Sequence, residues 1–312
     1  TTFSMGNQLT FTGSGELDNG WTVDTFVFVN DAQAAVSSSA ATMTMGSMGT
    51  IGASKAGGFN VNGAYDETYP RAYEENSDTG GQSSLNSVGN WADDNAIIYK
   101  APAIDLMGAT VNIGVEHSLQ GGTATGADGG GAARSDTYGN ATGLGVTVAY
   151  EGLTLGAYGA ERENKNPTSA GQVKDEFNGS WFVNYNFGPV SVGYQETYFD
   201  AGLALNGNDH TTTSAKSVGL SGGIFSGEAM SIAFNVNDNL SISYSETEDT
   251  FDSQDDASTA IDDVVMKTES IQVAYTMGSM SINAYSTERS NNNYDSDADK
   301  LNVNEIAIGL AF

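Results

Sequence analysis

The last nine residues, Asn304-Glu305-Ile306-Ala307-Ile308-Gly309-Leu310-Ala311-Phe312, alternate strictly in size and polarity. Ile306, Ile308, Leu310 and Phe312 form one set; Glu305, Ala307, Gly309 and Ala311 form the other. A period of two puts the sets on opposite faces of a strand. In a soluble sandwich the large residues would face a core. In a closed barrel within lipid they face outward, and the small residues leave room for a lumen. The pattern recurs. Trp21, Val23, Val27 and Val29 alternate with Thr22, Asp24, Phe26 and Phe28, and Leu144, Val146, Val148 and Tyr150 with Gly143, Gly145, Thr147 and Ala149. Comparable runs surround Trp181–Phe187, Met230–Val236, Leu240–Ser245 and Ile271–Tyr275. Each is near the ~10 residues with which a tilted strand crosses a bilayer.

The connections sort by length. Leu17–Gly20, Gly46–Gly49, Glu151-Gly152, Gly188-Pro189, Asn237–Asn239 and Gly278-Ser279 are short and rich in residues that favour turns. Between them run long polar segments, 31–41, 57–94, 120–139, 162–175, 199–228, 249–265 and 289–300. Short turns at one end and long loops at the other distinguish a membrane barrel from a sandwich. Trp21, Tyr150, Phe187, Tyr275 and Phe312 fall beside short turns or the terminus, where amphipathic rings meet headgroups.

Composition excludes other classes. No stretch approaches the ~18 consecutive apolar residues of a membrane helix. Cysteine is absent, which removes thiolate catalysis and Cys-ligated metal sites. A net charge of −28, from 11 basic and 39 acidic residues, leaves no basic face for nucleic acid. The reading is a single all-β domain over 1–312, an antiparallel transmembrane barrel. About 15 strands are visible, and Ser217–Phe225 alternates weakly enough to admit one more. The first visible strand runs into a short turn, so one strand is expected to precede Thr1, giving about 16. No leader is visible, and the numbering is expected to start after processing.

Leu9-Thr10-Phe11, Gly15–Val23, Thr42–Ile51, the long third loop and terminal Phe312 carry a family resemblance. The sequence resembles the sixteen-stranded general porins of Gram-negative bacteria, most closely the alphaproteobacterial branch. The resemblance implies an outer-membrane homotrimer surrounded by lipid and lipopolysaccharide, with the third loop folded into each barrel. It also implies that Phe312 is the signal read by the barrel-assembly machinery. The chain departs from the pattern at its start and in its scarce bases.

The pore constriction is expected in loop 57–94, where Asp66, Glu67, Arg71, Glu74 and Glu75 cluster. Rings of charge at the narrowest point set ion preference; the alternative is an acidic loop extending outward. Lys100, between outward Tyr99 and Ala101, is the expected basic wall residue. Asp24, Glu116, Arg162 and Glu305 are expected to face the lumen. The resulting function is passive diffusion of ions and small hydrophilic solutes, with a modest preference for cations. The other class is a barrel serving as a surface element or adhesin.

His117 and His210 sit in no triad-like arrangement, so no enzyme activity is expected. No cofactor is expected beyond Ca²⁺ at acidic surface loops. Asp295, Asp297 and Asp299 have calcium-loop spacing, but Lys300 and Ile306 replace the Gly and Glu of an EF-hand, so a solvated loop is the default. Asp252, Asp255, Asp256, Asp262 and Asp263 form a second acidic run.

Overall fold

Period-two sequence becomes period-two structure in the computed structural model, which describes residues 9–29, 36–55, 58–77, 82–93, 95–119, 137–166, 171–254 and 263–310. Its strands are β1 (Leu9–Glu16), β2 (Thr22–Val29), β3 (Val36–Thr44), β4 (Thr50–Lys55), β5 (Ala96–Lys100), β6 (Ile104–Leu106), β7 (Ala109–Ser118) and β8 (Tyr138–Tyr150). They continue as β9 (Leu153–Asn164), β10 (Glu176–Phe187), β11 (Val190–Asp200), β12 (Ile224–Asn237), β13 (Leu240–Asp252), β14 (Val264–Met277), β15 (Met280–Ser290) and β16 (Leu301–Leu310). All belong to one 16-stranded sheet in which chain neighbours pair, β5 and β6 excepted, and among the described residues every ladder is antiparallel.

β5 and β6 share one stave. β5 pairs with Gly114–Ser118 of β7, and β6 with Ala109–Val111. Between them lies Pro102, which has no N–H to offer a ladder. β1 and β16 both run toward the short-turn end, and no ladder joins them among the described residues. The short turns follow local chemistry. Gly188 and Gly278 each take φ 60°, where a Cβ would be strained, and Asn239 N–H donates to Asn237 Oδ1 at 2.9 Å.

The faces segregate as the alternation requires. Ile306 is 76% exposed and Leu310 66%, on the outward face of β16, whereas inward Ser245, Thr268 and Gln272 are each 1% exposed. Cross-strand register aligns the outward residues into rows, as in Val148, Leu155, Val183, Tyr194 and Met230 across β8–β12. An apolar outside around a polar inside inverts the soluble-protein pattern and suits lipid. Toward the long-loop end the outward face turns amphipathic: Trp181 Nε1 donates to Glu196 at 3.0 Å, and Tyr194 donates its hydroxyl to the same carboxylate.

Several boundaries differ from the sequence reading. β3 already begins at Val36, inside the expected loop 31–41, and β12 begins at Ile224, so Ser217–Phe225 forms no additional strand. Ladder hydrogen bonding extends these strands beyond their apolar stretches through Ser, Gly and Ala positions. Phe312, Asp255, Asp256 and Asp262 lie outside the described residues.

Candidate functional site: the loop inside the barrel

The chain between β4 and β5 does not extend outward. Gly58 lies against Phe26 of β2 and Ser39 of β3, while Tyr73 Oη donates to Glu305 of β16 at 2.9 Å. One loop therefore touches strands near both edges of the sheet, and the sheet is wrapped around it.

Main-chain groups at membrane depth need partners, and inward side chains of the wall supply them. Val61 and Asn62 N–H donate to Glu116 of β7 at 2.6 and 3.2 Å, and Tyr158 Oη of β9 donates to the same carboxylate at 2.6 Å. Gln195 of β11 accepts from Thr68 N–H at 2.8 Å and donates to the Tyr65 carbonyl at 2.7 Å. Gln272 of β14 repeats this with Tyr73 N–H (2.9 Å) and the Glu74 carbonyl (2.6 Å). Ser243 accepts from Ala72 N–H at 2.9 Å, and Arg289 donates to the Asn76 carbonyl at 2.7 Å. The return limb is fixed by Ser84 N–H to Asp249 at 2.6 Å and Gly89 N–H to Asn178 at 2.9 Å.

Apolar packing completes the attachment. Val61, Tyr65, Val88 and Ala92 of the loop form a cluster with wall residues Ile98, Tyr158 and Phe182. Inward glycine makes room for it: a Cβ on Gly145 would stand 2.6 Å from the Tyr65 ring. The small inward residues of β8 thus leave space for a loop as well as for water.

The residues that sequence assigned to the constriction and lumen divide into two groups. Asp24 is exposed on the inward face of β2, in a cavity of about 400 Å³ that Thr12, Ser14, Thr42 and Phe59 also line. Glu305 is likewise exposed. Lys100 shares the inward face of β5 with Ile98, its Nζ 4.4 Å from the centroid of the Phe59 ring, beside a second cavity with Asn112 and Thr147. Asp66, Arg71, Glu74 and Glu75 are half-buried on the loop.

The remaining three are corrected. Glu67 is 1% exposed and accepts from Tyr69 Oη, Ser77 N–H and Ser77 Oγ, so it braces the loop from within. Burial holds its carboxyl above the usual carboxylate range, against the opposing pull of Ser77, Tyr69 and Arg71. Glu116 faces inward but is covered by the loop it anchors. Arg162 is 2% exposed, ion-paired with Glu176 and packed against the rings of Trp91 (4.4 Å) and Tyr138 (3.8 Å). It clamps the return limb and does not line open lumen.

Arg71 folds back on its own loop, donating to the Glu67 carbonyl and pairing with Glu75. Among the described residues, Asp66, Glu67 and Glu75 are the group whose carboxylate oxygens gather within 4.8 Å, and Arg71 already supplies a cation there. Asp295, Asp297 and Asp299 are not gathered in that way; Asp295 Oδ1 instead accepts from Asp297 N–H at 3.0 Å in a local turn. His117 shares a hydrogen bond of 2.9 Å with Thr142 Oγ1, on the outward partner of its cross-strand pair.

Sequence reasoning missed the anchors Gln195, Gln272, Asp249, Asn178 and Arg289. Their signal was there: long hydrogen-bonding side chains at inward positions otherwise held by Ser, Thr and Gly.

A curled antiparallel sheet, apolar outside, with a long loop fixed across its interior, defines the porin type of barrel. Solved structures share this fold: OmpF of Salmonella typhi in complex with daunomycin (TM-score 0.64, 11% identity, covering 96% of this chain and 89% of that one), and a porin (0.61, 12%, 98% and 92%). An anion-selective porin from Comamonas acidovorans is a third (0.60, 12%, 100% and 91%). No family model and no curated protein matches the chain.

Proposed function

We propose that the chain is an outer-membrane channel through which ions and small hydrophilic solutes diffuse passively, with a modest preference for cations. The observation that carries this is the inserted loop: it narrows a polar interior and leaves charged side chains beside the remaining space. On the wall facing that space, β1–β3 and β16 carry Asp24 and Glu305 and no base. The loop adds half-buried Asp66 and Glu74, while Arg71 and Glu75 are paired and offset each other. Lys100 is the opposing charge, drawn against Phe59. Low-dielectric walls focus such an imbalance, whereas charge on outer loops is screened within about 8 Å at physiological salt. The fold does not decide the sign, since an anion-selective porin shares it.

The chain acts in this reading as a passive channel and not as an enzyme, and assembles as a homotrimer. β3 and β4 present small outward residues, Ala41 opposite Ala53, that allow close approach of a neighbouring barrel. Gly52 of β4 takes no part in that surface, because it points inward under Phe59.

The test is conductance across a planar bilayer, with reversal potential in a KCl gradient. Stepwise current reversing on the potassium side is expected. Absence of steps would leave a surface or adhesin role, and a chloride-side reversal would overturn the cation preference alone.

A further inference from the structure

A cavity of about 340 Å³ opens where the return limb of the inserted loop meets the loop joining β11 to β12. Gln82, Asn86, Asn90 and Trp91 line it from the limb, and Phe199 and Leu220 from the other side. Its volume falls at the small end of ligand cavities, roughly 300–1,000 Å³. Phe199 is one residue from the end of β11, so the cavity lies at the long-loop mouth of the barrel.

Among the described residues, none that lines it carries a charge, in a chain with 39 acidic residues. That lining offers an ionic ligand no counter-charge. A wholly apolar ligand would strip water from three carboxamides without replacing their hydrogen bonds, which is costly. What suits this lining is a ligand with many neutral hydroxyls and an apolar C–H face. Each carboxamide presents a donor and an acceptor together, as paired hydroxyls do, and an indole ring packs against C–H groups. We propose that this cavity binds neutral carbohydrate, one or two sugar rings, at the outer entrance of the channel.

The cavity wall is held in place beforehand. Ser84 is bonded to Asp249, Gly89 to Asn178, and Trp91 is stacked on Arg162. Asn90 Nδ2 donates to the Asn86 carbonyl at 3.3 Å, and Gln82 is held through its main-chain N–H by Asn293 Oδ1 at 3.3 Å. The Gln82 side chain itself is exposed, and the anchors given above do not use it.

The proposal goes beyond passive diffusion, and its binding measurement does not depend on current. Intrinsic fluorescence of the purified protein is titrated with maltose, with cationic glucosamine and anionic gluconate as comparisons. The chain has 3 Trp, and a Trp91→Phe variant assigns the signal. A saturable change with maltose, weaker with both charged probes, is expected. The double variant Gln82→Ala, Asn90→Ala should weaken maltose binding about tenfold, the worth of one or two hydrogen bonds. Gln82→Glu, an isosteric change at an exposed position, should shift preference from maltose to glucosamine. The proposal is overturned by no saturable change with maltose, by equal responses to all three probes, or by a Gln82→Glu protein that binds as the parent does. KCl conductance of the same preparations reports on the channel separately.

Discussion

Replacing Glu116 with alanine tests whether the loop is held chiefly by wall side chains. The carboxylate accepts from two main-chain N–H groups, Val61 at 2.6 Å and Asn62 at 3.2 Å, and from Tyr158 Oη at 2.6 Å. Glu116 is fully buried, so Glu116→Ala leaves three donors without this acceptor. Each unsatisfied buried donor costs about 1–3 kcal/mol. Water entering the vacated volume recovers part of that, and a net loss of about 3 kcal/mol is the working value. It falls on the loop and not on the ladders, because no strand pairing is removed. The equilibrium between seated and released loop should therefore shift about a hundredfold. Hydrogen exchange reads this directly: Val61 and Asn62 amides should lose protection by about that factor, while β12–β14 amides keep theirs. Single-channel records should show added flicker. Unchanged protection at Val61 and Asn62 would refute the reasoning, as would equal loss across the strands.

Other outcomes follow from the same geometry. Gly145→Leu, placing a side chain where the Tyr65 ring lies within 2.6 Å of a Cβ, should displace the loop and change unit conductance by more than half; an unaltered conductance would mean the loop adapts freely. Arg162→Ala, which strands buried Glu176, should lower stability by about 3–5 kcal/mol in denaturant titration, against a smaller loss for Arg162→Lys. Glu67 has its folded-state carboxyl raised by burial, so it binds its proton more tightly in the seated loop than in the released one. Its contribution to seating is therefore fully present below the ordinary carboxylate range and is lost as pH rises through the raised value. Loop amides in the Glu67→Gln variant should exchange with less dependence on pH over that window, after correction for intrinsic rates.

Strand existence and facing were legible because they are local. Each strand meets lipid on one side, so Ile306, Ile308 and Leu310 reveal their orientation without reference to anything distant. The lumen side was only half legible. Asp24, Glu116 and Glu305 all read as inward carboxylates, and all three do face inward. Only the path of a loop far away in sequence separates them: Glu116 meets Val61 across 55 positions and is covered, whereas Asp24 remains exposed. The same non-local path buries Glu67 while Asp66 beside it stays half-exposed. Alternation gives a side chain's direction and says nothing of what arrives to meet it.

The division between covered and open carboxylates changes how the net charge of −28 should be weighed. Glu67, Glu116, Glu176 and Asp249 are buried and surrounded by donors, so their fields are largely spent on the loop, on Arg162 or on serine hydroxyls. They act as structural acceptors wherever the chain needs to satisfy a main-chain N–H away from water. A carboxyl group suits this role because its two oxygens together meet several donors, as Glu116 meets Val61 and Asn62 N–H and Tyr158 Oη. An ion crossing the barrel would respond instead to Asp24, Glu305 and the half-exposed acids of the loop. Acidic composition thus serves two ends in one interior: buried carboxylates hold the loop, and in the proposed channel the exposed ones beside it are what a passing ion meets.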